Sequence, residues 1–374
     1  MTGVQTCALP IFVSGWLYWY FWVVVVAIEA IAGASILSQW IALPPWQIDL
    51  VLMLLLTGVN LLSTRSYGEF EFWFSSIKVA AIVVFILIAG AYALGLTSPA
   101  GPTLSNLYSH GGFAPYGWLA GLAGMTTVVF SLCGAEIATI AAVESHEPAR
   151  VISHMTVSIS VRILLFYALS IALIVAVVPW SEIKSGDSPF AVALARTHIP
   201  GVATIMNVIV LVAVLSCLNS GLYVTSRVLF ALAAKGDAPK SLVALTKRRV
   251  PARAILIGTS FGYVAVLLSI VSPGLVFAFL VNASGALMLV IYLFACFAHL
   301  KLRRRIEREA PERLTIKVWL FPWLSYATVA AMLGVLAAMA FTPSLASQFY
   351  ASLACVVVVV TAYGVRRRAV TARS

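Results

Sequence analysis

FVSGWLYWYFWVVVVAIEAIAGASILSQWI, residues 12–41, runs for 30 positions with a single side chain that is charged at neutral pH, Glu29. Its apolar residues are continuous and lack the period-two alternation of a barrel strand. About 20 such residues in a helix match the roughly 30 Å hydrocarbon core of a bilayer. In lipid the backbone has to be hydrogen-bonded within its own segment, so the stretch reads as a transmembrane helix. Nine more stretches read the same way: 47–64, 73–95, 117–142, 157–179, 202–232, 253–272, 275–300, 318–341 and 346–365. The mean hydropathy of +1.02 excludes a soluble globular chain. The expected fold is an all-α polytopic membrane protein with about 10 transmembrane helices.

Of the 374 residues only 10% are charged, and the net charge of +11 comes from bases gathered in short loops. Ten spans place both chain ends on one side. That side receives Arg65, Arg150, the stretch 235–253, the stretch 301–317 and the tail 366–373, whereas the opposite loops hold Lys184 and Arg196. The excess of Lys and Arg makes the first face cytoplasmic, with loops expected at 65–72, 143–156, 233–252 and 301–317. A multi-pass protein of the bacterial plasma (inner) membrane follows, with both ends inside. Trp16, Trp40, Trp46, Trp180 and Trp323 suit the interfacial aromatic belt. No basic stripe of the kind that binds nucleic acid is present.

The composition also argues against an enzyme. Cys133, Cys217, Cys296 and Cys355 fall singly inside apolar runs and read as buried thiols. The five histidines show no metal-ligand spacing, and there is no glycine-rich phosphate loop or nucleophile elbow. No metal and no cofactor are expected.

The informative residues are the ionisable ones inside spans, because a charge at the bilayer centre costs about 2.5 kcal/mol or more. Glu29 lies in the first span, Lys78 in the third and Glu136 in the fourth. Each reads either as a functional group or as a structural pair that fixes packing. Arg162 and Arg227 sit closer to span ends and reach the interface by snorkelling.

The fourth span carries Phe130-Ser131-Leu132-Cys133-Gly134-Ala135-Glu136 at mid-membrane. A helix interrupted there exposes free N–H and C=O groups whose dipole ends bind a carboxylate or an ammonium. A kinked but continuous helix, with glycines for close packing, is the other reading. Ser216, Asn219, Ser220 and Thr225 in the sixth span, and Asn282, Ser284 and Gly285 in the eighth, either line a cavity or bond between helices, the commoner use of such residues.

Taken in order, these motifs resemble the amino acid permeases of the amino acid-polyamine-organocation superfamily, the bacterial 4-aminobutyrate (GABA) permeases most of all. The resemblance is carried by 15–22 (GWLYWYFW) with Glu29 after it, by 67–73 (YGEFEFW) running on to Lys78, and by Phe130 to Glu136. The most specific part is 216–223 (SCLNSGLY), continuing through Ser226-Arg227 to 235–239 (KGDAP). It implies a five-plus-five inverted-repeat transporter fold in which two broken helices hold the substrate. Carried over, the fourth span becomes a broken helix, so that Phe130, Ser131, Gly134, Ala135 and Glu136 neighbour the substrate, and Glu29, Asn219 and Ser220 face it from the first and sixth spans. Lys78 matches a lysine that in some proton-coupled relatives stands where others bind a coupling sodium ion. The implied activity is proton symport of a small amino acid, GABA first, with proline or an aromatic amino acid as alternatives. The competing readings are a non-transporting remnant or sensor that keeps the fold, and a membrane-embedded enzyme, which lacks the His, Asp or Cys cluster it would need.

The start departs from that pattern. The glycine-rich broken helix that opens the family's fold is absent, so the chain is expected to begin at the family's third helix. Residues 1–11 resemble the in-frame translation of a common short-read sequencing adapter and read as an artefactual leader. The transporter domain is then 12–365, followed by a basic cytoplasmic tail at 366–374. On this reading residues 1–374 insert into a membrane but do not transport.

Overall fold

The computed structural model describes residues 8–62, 67–134, 136, 148–184, 187–248, 250–314 and 317–371. Ten segments correspond to the expected spans: α1 (Ala8–Leu37), α2 (Pro45–Leu62), α3 (Tyr67–Ala93), α4 (Trp118–Leu132), α5, α6 (Val202–Ala234), α7 (Ala252–Ser269), α8 (Pro273–Glu309), α9 (Trp323–Phe341) and α10 (Pro343–Thr371). Helix α5 is α-helical over Pro148–Arg162, π-helical over Ile163–Ala168 and α-helical again over Leu169–Val177. Nine of the ten are long and apolar enough to cross a membrane among the described residues; α4, with 15 residues, is the exception. No strand occurs among the described residues.

Helix α1 is the innermost. Of its apolar window 72% is buried, against 11–44% for the other eight. It packs against α2, α6, α7, α8 and α10. This position explains its composition: a helix surrounded by others has no polar face to present, so apolar residues occupy every side of it. Val26 and Ala30 of α1 join Met53 of α2, Leu218 and Leu222 of α6 and Val266 of α7 in one buried cluster. A second core lies apart from it, where Phe85 and Ala89 of α3 meet Leu173 and Val177 of α5 and the short helix Pro189–Ala195.

The expected loops at 65–72, 143–156 and 301–317 are shorter than the charge pattern suggested. Helix α3 begins at Tyr67, α5 at Pro148, and α8 continues to Glu309. The reason is visible in α8, where hydropathy ends at Leu300 but the helix does not. Lys301 to Glu309 are good helix formers, and Arg303–Glu307 and Arg305–Glu309 close i,i+4 ion pairs at 2.8 and 2.7 Å. Helix α10 likewise runs through the start of the expected tail to Thr371, with Arg366 paired to Asp237 beyond the end of α6.

Helices α4 and α8 meet at a point that admits only glycine. A Cβ built on Gly285 would stand 2.0 Å from the carbonyl oxygen of Thr126, a backbone atom of α4. Thr126 and Thr127 then donate to the Asn282 side-chain oxygen at 3.1 and 2.9 Å, one turn away. The expected outcome of Gly285→Ala is separation of the two helices and a loss of about 1–3 kcal/mol, as for other overpacked sites. A lowered thermal midpoint of the detergent-solubilised protein checks this, and an unchanged midpoint counts against the contact.

Candidate functional site

Helix α4 stops inside the expected fourth span. Its last helical residue is Leu132; Cys133 is extended (φ −66°, ψ 149°) and Gly134 has φ +108°, a conformation that side chains with a Cβ rarely adopt. The continuous-helix reading therefore does not hold at this point. Residues 137–147 and Ala135 lie outside the described residues.

Ending a helix leaves its last carbonyls unpaired, with about half a negative charge at that end. Here the freed amide of Gly134 donates to Glu136 Oε2 at 2.8 Å. The Tyr18 hydroxyl of α1 approaches Oε1 at 3.4 Å, and the Tyr292 hydroxyl of α8 approaches Oε2 at 3.3 Å. Both are longer than the usual 2.5–3.0 Å for O–H···O contacts, so the tyrosines hold the carboxylate loosely. A carboxylate beside a helix C-terminus makes a cation site, and two hydroxyls supply further acceptors. The chemistry fits an ammonium group. Tyr18, Phe130, Cys133, Cys217 and Tyr292 pack against a core of Phe21, Trp22, Val25 and Met288. Phe130 and Phe21 approach each other with ring centroids 6.2 Å apart and planes tilted by 59°. The site thus has an aromatic wall built by α1, α4 and α8.

A second polar group lies between α1, α3 and α6. Lys78 Nζ donates to Ser216 Oγ at 2.9 Å. The Glu29 carboxylate is hydrogen-bonded by the Cys217 thiol and lies in electrostatic reach of Lys78. Cys217 therefore belongs to both groups: its thiol meets Glu29, and it packs among the aromatics around Glu136. Tyr167 lies in the π-helical segment of α5, in the neighbourhood of Cys133 and Cys217. Such π segments recur at functional sites because the extra residue per turn re-aims side chains.

The structure brings Phe130, Gly134 and Glu136 together, and Glu29 with Lys78. Of the other expected residues that are described, three make hydrogen bonds within the protein. Ser131 donates to the Val128 carbonyl of its own helix at 2.8 Å, and Ser220 to the Ser216 carbonyl at 2.9 Å. Asn219 accepts from Asn60 of α2 at 2.8 Å. Asn282 accepts from Thr126 of α4, as the interhelical reading expected, whereas Ser284 donates to the Leu280 carbonyl of its own helix. Sequence reasoning passed over Tyr18, within a quoted motif, and Tyr292, whose only local signal is a hydroxyl in an apolar run. It also passed over Asp49 of α2, which is 1% exposed and whose carboxylate oxygens have no hydrogen-bond partner among the described residues.

Residues 12–372 match the amino acid permease family. The chain is 45% identical over 359 residues to the gamma-aminobutyric acid permease of Bacillus subtilis, covering 96% of this chain and 76% of that protein. It is 40% identical over 335 residues to the gamma-aminobutyric acid permease of Escherichia coli, covering 88% and 71%. To an aromatic amino acid transport protein of Corynebacterium glutamicum the identity is 36% over 344 residues, covering 91% and 74%. With a family match along nearly its whole length, an all-helical fold and helices suited to a bilayer, the chain belongs to the amino acid permease family, as a multi-pass membrane protein of amino acid transport and not an enzyme.

Proposed function

We propose that this permease imports 4-aminobutyrate with protons, by alternating access around α1, α4, α6 and α8. The observation that carries the substrate reading is the Glu136 carboxylate at the end of α4, flanked by Tyr18 and Tyr292. It suits the ammonium end of an amino acid, and two relatives named as gamma-aminobutyric acid permeases share 40–45% identity with the chain. Proton coupling is assigned to Lys78, whose ammonium sits on Ser216 in reach of Glu29, so that a change in its protonation alters contacts between α1, α3 and α6. Proline and aromatic amino acids are the alternative substrates, the latter favoured by the Corynebacterium relative. Uptake of radiolabelled 4-aminobutyrate by cells expressing the gene from its own locus decides among them. Competition by unlabelled 4-aminobutyrate, and none by proline or phenylalanine, is expected; stronger competition by either of those replaces the substrate reading.

The orientation is proposed from the basic residues, with the loops after α6 and α8 cytoplasmic. Lys184 and Lys247 are exposed in loops assigned to opposite sides. Cysteine at Lys184 should react with an impermeant maleimide in intact cells, and cysteine at Lys247 only after permeabilisation. Reaction of both in intact cells would exclude this topology.

A further inference from the structure

We infer that the cleft between the end of α8 and the start of α9 binds an anionic phospholipid, its phosphate held by Lys301, Arg304 and Arg308. The cleft encloses about 450 Å³, and Phe297, Leu300 and Val329 line it beside those three cations. The cations recur at i, i+3 and i+7, which places them along one face of α8. Like charges so close repel, and the helix does not neutralise them itself. Its two carboxylates, Glu307 and Glu309, are engaged by Arg303 and Arg305. Arg304 leans on Tyr326 of α9, to whose hydroxyl it donates and whose ring lies 5.7 Å from its guanidinium carbon. A neutral phenol orients the arginine and leaves its charge in place.

The depth of the cleft decides the kind of anion. Helix α8 has 37 residues, about 55 Å, and outruns a hydrocarbon core of roughly 30 Å. The change from apolar residues to Lys301 marks where it leaves the lipid. Trp319 and Trp323 are 78% and 74% exposed beside the cleft, as residues at headgroup level are. The cations therefore stand at headgroup height with an apolar recess beneath, the layout of a phosphate with an acyl chain attached. Basic pockets between transmembrane helices bind lipid phosphates in this way. This needs only that the chain spans a membrane, and it is independent of the transported substrate.

The test is native mass spectrometry of the purified protein in detergent, titrated with phosphatidylglycerol or with phosphatidylcholine of the same acyl chains. A preference for phosphatidylglycerol is expected. Each basic side chain near an anionic headgroup is worth about fivefold in affinity, so Arg308→Gln should weaken that lipid by about fivefold. The triple variant K301Q/R304Q/R308Q should lose the preference, while K247Q/R248Q, which alters exposed bases elsewhere, should keep it. An equal preference in the triple variant overturns the proposal, as does an equal loss in the control. Inorganic phosphate is the competitor: displacement of the lipid at millimolar concentration would make this a site for a soluble anion and would also overturn it.

Discussion

Lys78→Met is expected to abolish uphill accumulation of substrate. The side chain lies on α3, donates to Ser216 of α6 and is in electrostatic reach of Glu29 of α1. Three helices thus meet at one cation, and a proton gained or lost there changes how all three are held. Methionine has similar length and no proton to exchange, so the helices stay packed and the link to the proton gradient is cut. A gradient of one pH unit is worth about 1.4 kcal/mol, or about tenfold accumulation at one proton per substrate. In the variant that factor should fall to simple equilibration, while exchange of labelled for unlabelled substrate persists. Both are read in cells carrying the variant at the gene's own locus. If Lys78→Met still concentrates substrate when the outside is acidified, the lysine only fixes the packing of α3 against α6.

Glu136→Gln should weaken substrate binding without unfolding the site. The amide oxygen can still accept from the Gly134 N–H, so the end of α4 keeps its local bond and only the charge goes. Loss of one member of a buried charge pair costs about 2 kcal/mol or more, on the order of a 30-fold rise in KM for an ammonium substrate. Tyr292→Phe removes one of two long contacts and should cost about 1 kcal/mol, close to fivefold. An unchanged KM for Glu136→Gln would leave the carboxylate as a cap on Gly134 and nothing more. The two experiments separate coupling from binding: Lys78→Met removes accumulation and spares exchange, and Glu136→Gln weakens both.

The ten segments were legible because a bilayer span is a local property. Some 20 apolar residues suffice whatever surrounds them, as in residues 12–41 and 202–232. Their ends were less legible. Hydropathy marks where lipid stops, whereas the helix continues as long as its own residues pair, as Arg303–Glu307 and Arg305–Glu309 do beyond Leu300. The chemistry-bearing residues Glu29, Lys78 and Glu136 could be named in advance because an ionisable group in lipid needs a reason. Their partners could not. Lys78 meets Ser216, 138 positions away, and Glu136 meets Tyr18 and Tyr292 at separations of 118 and 156.

By itself, then, the sequence determined that this is a helical membrane protein, which stretches are apolar enough to lie in a bilayer, and which few charges fall within them. Whether α4 bends or stops, which side chain bonds to Asn219, and which hydroxyls surround Glu136 were decided only by tertiary structure. The physical reason is that burial in lipid is a sum over neighbouring residues along the chain. A hydrogen bond between helices depends on two side chains that the chain alone does not bring together.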